Sequence, residues 1–366
     1  MNIAQVAPLY ESVPPKFYGG TERVVSYLTE ELVNQGHKVT LFASGDSVTS
    51  AELVSCSNTA LRLDKNCLDP LAPHIVQMER VLKRAHEFDI IHFHTDYLHF
   101  PSTERLRTPH VTTLHGRLDI PELQQVYDNF KQPVVSISDS QRKPVPQANF
   151  VATVHHGLPQ QLLKQGTGSG NYLAFLGRIS PEKGLDRAIE WAIAANMPLK
   201  IAAKVDKVDE LYYETVIKPL MQHPLVEYIG EINEYQKQDF LGNAAALLFA
   251  INWSEPFGLV MIEAMACGTP VVAHAMGSVP EIIENGRNGF IVSSTEEAVA
   301  VIHTLKNMKR SLVRAAFDER FTANRMACNY MQLYKKLIAS GKATNHWPII
   351  PLQQQIQDQI AKTKLL

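Results

Sequence analysis

Short apolar runs without a polar break alternate, along most of the chain, with stretches whose apolar residues recur every three or four positions. Unbroken runs of that length suit parallel strands covered on both faces, and the longer period suits helices packed by one side. Strands are expected at 2–7, 38–43, 89–93, 109–114, 134–138 and 150–154, and again at 172–176, 199–203, 226–230, 245–250 and 270–275. The first helix carries Val24, Val25, Leu28, Leu32 and Val33 on one stripe and closes at Gly36, so the chain opens with a βαβ unit. Further helices are expected at 74–87, 296–308 and 324–338, the last two as outer helices of the second half. Residues 47–73 carry no clear period. Between the two alternating series lies a glycine-rich stretch, 165–171, with the composition of a flexible linker. The pattern therefore predicts an α/β protein of two domains, 1–165 and 166–342, with a tail at 343–366 that restarts a helical period.

One stretch carries the chemistry. From Leu259 to Cys267 every helical residue is apolar except Glu263, and a buried carboxylate must meet donors. Glu255 stands eight positions earlier in a loop with Phe257 and Gly258, where a helix begins and free backbone N–H groups favour an anion. Gly19 and Gly20 precede the first helix and suit close approach to a phosphate, although a pair of glycines also serves a plain turn. His115 and Lys204 fall at carboxyl ends of strands, the edge where such sheets bind ligands. Ser180 and Pro181 read as a helix start with Lys183 in its first turn and Arg178 just before it. A cation there opposes the helix dipole unless an anion binds; the plainer alternative has Glu182 offsetting Lys183 in water. His92 and His94 share one strand face with Asp96 beyond, which fits satisfied polar groups better than a metal site.

Composition narrows the field. The chain has 366 residues, 45% hydrophobic and 20% charged, with a net charge of −2, so no global charge argues for nucleic acid. A local basic patch for peripheral membrane binding stays compatible with these numbers. The four cysteines are scattered without a Cys-x-x-Cys pair, which suits a reducing cytoplasm and argues against a structural zinc. No leader pattern opens the chain and no apolar run reaches transmembrane length, so a cytoplasmic protein without a membrane span is expected.

The segment 255–263, Glu-Pro-Phe-Gly-Leu-Val-Met-Ile-Glu, resembles the E-x7-E signature of the retaining glycosyltransferases of family 4. Val279-Pro280-Glu281 after Gly277 is similar to the same family, with Ser278 where a second glycine is usual. Gly177-Arg178 and Lys183-Gly184 match its GR-x4-KG pattern, and His155-His156-Gly157 its interdomain segment, with His156 where asparagine is usual. The resemblance implies the GT-B fold: two facing, doubly wound Rossmann-like domains with a cleft between them. It implies transfer of a sugar, glucose or a related hexose, from a nucleotide-diphosphate sugar to an acceptor hydroxyl with retention of configuration. Arg178, Lys183 and the Gly19–Gly20 loop would hold the diphosphate, with Lys204 facing the ligand. Glu263 would take the ribose hydroxyls. Glu255 and the backbone of Phe257, Gly258 and Leu259 would hold the sugar, and His115 would lie near it. No metal or cofactor is expected, since the two cations supply the charge and no suitable Asp-x-Asp occurs. A UDP-sugar is favoured over GDP-mannose, and the acceptor (a sugar, a lipid-linked sugar or a small molecule) is open. The tail would cross back onto the first domain. Rival readings are a UDP-sugar 2-epimerase of the same fold, a non-catalytic nucleotide-sugar-binding protein, and a dinucleotide oxidoreductase. The last is disfavoured by YGGTER at 18–23 in place of G-x-G-x-x-G.

Overall fold

The computed structural model describes residues 1–16 and 19–343, with side chains up to residue 340. Seven strands form the first sheet: β1 (Asn2–Val6), β2 (Lys38–Ser44), β3 (Glu52–Ser57), β4 (Ile90–Phe93), β5 (His110–Thr113), β6 (Val134–Ser136) and β7 (Phe150–Thr153). Their order is β3-β2-β1-β4-β5-β6-β7. The second sheet has β8 (Leu173–Ile179), β9 (Leu199–Val205), β10 (Val226–Gly230), β11 (Ala246–Phe249), β12 (Val271–His274) and β13 (Gly289–Val292), ordered β10-β9-β8-β11-β12-β13. Every strand pairing is parallel. The unbroken apolar runs follow from this: Ile3, Ala4 and Val6, or Leu247 and Leu248, are covered on both faces and at most 1% exposed.

In each sheet the order reverses once, between β1 and β4 and between β8 and β11. At such a point neighbouring loops leave in opposite directions and a crevice opens at the carboxyl ends. The loops carrying Gly19, Gly20 and Asp96 leave the first crevice, and those carrying Lys183 and Glu255 leave the second.

Three expectations need correcting. The unreadable stretch 47–73 contains β3, an edge strand whose mixed exposure and polar residues Glu52, Ser55 and Ser57 hide its period. The glycine-rich stretch is not a free tether. Gly166, Gly168 and Gly170 donate to Cys267, Gly242 and Asn243 carbonyls at 2.9 Å each, and a side chain on Gly166 would run into the Gly242 backbone. The chain passes between the sheets at two adjoining places instead, where Leu158 N–H donates to Phe321 O at 2.9 Å and Ala323 N–H to Leu158 O at 2.7 Å. Finally, the helix Ala323–Ala343 is not an outer helix of the second half. Its Met326, Ala327, Tyr330 and Tyr334 pack with Ile3, Leu28 and Val135 in the core of the first sheet. The crossing back expected of the tail is thus made earlier in the chain; the tail from 344 onward lies outside the described residues.

Candidate functional site

The second crevice is built around a salt bridge. The Lys183 ammonium donates to Glu255 Oε2, which also accepts from Trp253 Nε1 at 2.9 Å. The Lys183 and Glu255 side chains are 19% and 12% exposed. Lys183 also lies over the Trp253 ring, 5.1 Å from its centroid. Lys183 does not stand in the first turn of the helix. Pro181–Lys183 is a separate 3-10 turn, and Gly184, at φ 64° and hard against the Ala250 carbonyl, starts the helix Leu185–Ala194 afterwards. Lys183 thus stands just before the helix rather than inside it, and Glu255 offsets its charge there.

Arg178 lies within β8 rather than in a loop after it, beside Lys204 on β9. It bonds Glu182 and reaches Asp206 at 3.5 Å and Asp209 at 3.7 Å, while Lys204 pairs with Asp206 at 2.9 Å. Glu182 thus serves Arg178, not Lys183 as the plainer alternative had it.

The helix Leu259–Ala266 opens at Gly258, in left-handed backbone at φ 80° where a side chain would be strained, and no side chain caps it. Its first N–H groups are left for an anion. The Phe257 ring is buried among His155, His156 and Phe321, and its carbonyl accepts from the Ser278 hydroxyl at 2.7 Å. Gly20, at the start of the helix Gly20–Asn34, comes close to Leu259: a Cβ there would sit 3.8 Å from Leu259 Cδ1. The two helix starts thus meet across the cleft. Glu22, in the first turn of the Gly20–Asn34 helix, is 6% exposed, and burial pushes its carboxyl above the usual range.

Glu263 finds its donor in Lys237, at 2.7 Å from the helix Glu234–Asn243. Lys237 also reaches Glu234 at 3.2 Å, and Glu234 forms an ion pair with Arg23 of the first domain at 2.8 Å. A chain of alternating charges therefore crosses the cleft beside the position expected for a ribose.

His115 lies at the end of β5, stacked on His156 with ring centroids 5.3 Å apart, and His156 in turn stands 4.9 Å from the Phe257 ring. Burial lowers the pKa of His115 to about 3, so it is neutral at any physiological pH. His92 and His94 are buried and hydrogen-bonded; among the described residues no cluster of His, Cys, Asp and Glu is arranged to hold a metal ion. Among these residues, too, no helix is long and apolar enough to cross a membrane.

Residues 161–320 match the family "Glycosyl transferases group 1", and residues 18–166 match "Glycosyltransferase Family 4". The chain belongs to the group 1 glycosyltransferases. It is 23% identical to the phosphatidyl-myo-inositol mannosyltransferase of Mycobacterium leprae, over 93% of this chain and 98% of that one. Among solved structures, a glycosyltransferase involved in avilamycin A biosynthesis superposes with a TM-score of 0.70 at 24% identity, covering 93% and 98% of the two chains. Anabaena HepE, in complex with UDP and glucose, does so with a TM-score of 0.69 at 20% identity, covering 92% and 100%. The fold is GT-B, as the motifs implied, and the family match favours transfer over the epimerase and oxidoreductase readings.

Several residues of this transferase escaped the sequence pattern. Trp253 stands two positions before Glu255, and an aromatic side chain so near a loop carboxylate was the available signal. Arg23 sits within YGGTER, three positions past Gly20. Arg117, whose guanidinium lies 5.7 Å from the Trp253 centroid across the cleft, follows His115-Gly116. Lys237 has no local signal at all, because its partner is 26 residues away.

Glu281 of the Val279-Pro280-Glu281 motif is a bridge. Its two carboxylate oxygens accept from the Asp139 and Ser140 N–H groups at 2.7 Å each, and Oε2 lies 3.3 Å from His155 Nε2. Those backbone hydrogen bonds and His155 hold its pKa down against burial. Removing such a bonded charge costs about 1–3 kcal/mol. The ligand-free Glu281→Ala variant should therefore show a larger radius of gyration by small-angle scattering, and saturating donor nucleotide should shrink it again. An unchanged radius in the variant would mean that the cleft is held elsewhere.

Proposed function

We propose that this glycosyltransferase moves a hexose, with retention and without a divalent metal, from a UDP-sugar to an acceptor hydroxyl. The observation that carries this is the meeting, in one cleft, of the Lys183–Glu255 pair with an uncapped helix start, opposite a neutral buried histidine. Lys183, Arg178 and the N–H groups after Gly258 would neutralise the charge that grows on the departing diphosphate. The Gly19–Gly20 loop faces the same helix start, and Lys204 stands beside Arg178. Glu255 would hold the sugar's hydroxyls, oriented by Trp253. Glu263, with one oxygen on Lys237, would accept the ribose hydroxyls with the other. The leaving phosphate oxygen would take the acceptor's proton as attack occurs on the same face. His115 cannot act as an acid at neutral pH and would contribute a hydrogen bond near the reacting carbon; no limb of the pH–rate profile between 5 and 8 should belong to it.

HepE holds UDP and glucose in a structure of the same fold, which supports UDP-glucose as the first donor to try. The mannosyltransferase relative keeps GDP-mannose as the second. A panel of nucleotide sugars with hydroxyl acceptors, read for nucleotide release and free sugar, tests the reading. Coupled release and glycoside formation are expected; a freed epimerised sugar without acceptor would replace transfer by epimerisation. Activity should persist in excess EDTA. Full loss restored by manganese would overturn the metal-free mechanism.

A further inference from the structure

Behind His115 a single file of hydrogen bonds runs from the cleft to the helix Ala323–Ala343. His115 Nε2 meets His94 Nδ1 at 2.9 Å, and His94 Nε2 meets Gln5 Oε1 at 2.8 Å. Gln5 Nε2 donates to Tyr334 Oη at 3.2 Å, and Oη reaches His92 Nδ1 at 2.6 Å. His92 Nε2 reaches Thr113 Oγ1 at 2.7 Å, and Thr113 meets Tyr330 Oη at 2.8 Å. Gln5, His92, His94 and Tyr334 are at most 2% exposed.

Burial holds His92 and His94 far below the ordinary imidazole pKa, so each ring, like that of His115, is neutral. A neutral imidazole has one N–H and one bare nitrogen, so it passes donation along in one direction only. The whole file then has two self-consistent arrangements, and the amide of Gln5 selects between them. With Oε1 on His94, His94 carries its proton on Nε2, its Nδ1 accepts, and His115 carries its proton on Nε2. Tyr334, accepting from Gln5 Nε2, is free to donate to His92 Nδ1. Reversing the amide reverses every one of these assignments.

We propose that Gln5 is a positioning residue for sugar transfer: it fixes His115 as the Nε2–H tautomer and leaves Nδ1 as a bare acceptor for a ligand hydroxyl. His115 Nδ1 is buried and, among the described residues, meets no partner. A buried acceptor without a donor is costly, and a sugar hydroxyl supplies the missing proton. The inference rests on the cleft being a sugar-transfer site, but the tautomer is observable without any substrate, so the two can fail separately.

The test is long-range 1H–15N correlation spectroscopy on the full-length, ligand-free protein with 15N-labelled histidine. The His115 signals are identified by their loss in His115→Gln. The wild type should show His115 protonated on Nε2 only. Gln5→Leu should mix the tautomers and lower kcat roughly 10-fold with the donor KM within about twofold. Gln5→Glu, whose carboxylate still accepts from His94 Nε2–H, should keep the tautomer and recover most of the rate. Should Gln5→Leu fail to fold, Tyr334→Phe, which removes the acceptor of Gln5 Nε2, should mix the tautomers in its place. An Nδ1–H tautomer in the wild type, or an unmixed one in Gln5→Leu, overturns the proposal. The expected tautomers in a protein that transfers no sugar would overturn the reaction and leave the hold of Gln5 on His115 standing.

Discussion

Replacing Lys183 by alanine should lower kcat/KM for the donor by about 10- to 100-fold, from the loss of one charged hydrogen bond worth roughly 1.5–3 kcal/mol. The loss grows if that bond tightens as the diphosphate leaves. The structure adds a second effect. In Lys183→Ala the Glu255 carboxylate, 12% exposed, keeps among the described residues the Trp253 N–H alone and becomes a partly buried charge without its cation. Stability should therefore fall as well, and the two effects can be parted. The double variant Lys183→Ala with Glu255→Gln should regain much of the melting temperature while regaining none of the rate. Arg178→Ala should lose at least as much activity, because it strands Glu182 and Asp209 beside the place of the phosphates and leaves Asp206 with Lys204 alone. Unchanged kcat/KM in both single variants would remove the diphosphate clamp.

Glu255→Ala should lose at least 10-fold more activity than Glu255→Gln, since the amide can still hydrogen-bond the sugar and accept from Trp253. Both should yield the same anomer as the wild type. A nucleophilic carboxylate would need a clear approach to the anomeric carbon, whereas Oε2 of Glu255 is already tied to Lys183 and Trp253. Its loop is held in turn by Gly277, in left-handed backbone at φ 56° and packed against the Glu255 backbone, and by Ser278, which donates to the Glu255 and Phe257 carbonyls. Mass spectrometry of rapidly quenched enzyme should accordingly find no glycosyl ester on Glu255; trapping one would make it the nucleophile.

The fold was legible wherever burial on both faces forced unbroken apolar runs, as at β1, β8, β11 and β12. It was illegible at β3, whose outer edge needs no apolar side chains, and along 323–343, where a good amphipathic helix does not say which sheet it covers. Local motifs brought out Glu255, Glu263, Arg178 and Lys183, because loop and helix sit close together in sequence. Their protein partners were beyond reach: Lys183 with Glu255, Glu263 with Lys237 and Arg178 with Asp206 are set by the meeting of distant segments. The glycines at 166, 168 and 170 misled because glycine permits close packing as readily as flexibility.

The helix Ala323–Ala343 also sets an order of events during synthesis. The first sheet emerges from the ribosome early, but Tyr330 and Tyr334, which complete its core, are made only after every strand of the second sheet. The second sheet, whose strands end at Val292, has nearly all of its own core once Phe321 is out. The half begun first is therefore finished last, against the usual N-terminal-first sequence of domain folding. A nascent chain arrested at residue 322 should be protease-resistant across 173–292 and still be cut within 1–150, and the first sheet should become resistant only when the helix Ala323–Ala343 clears the exit tunnel.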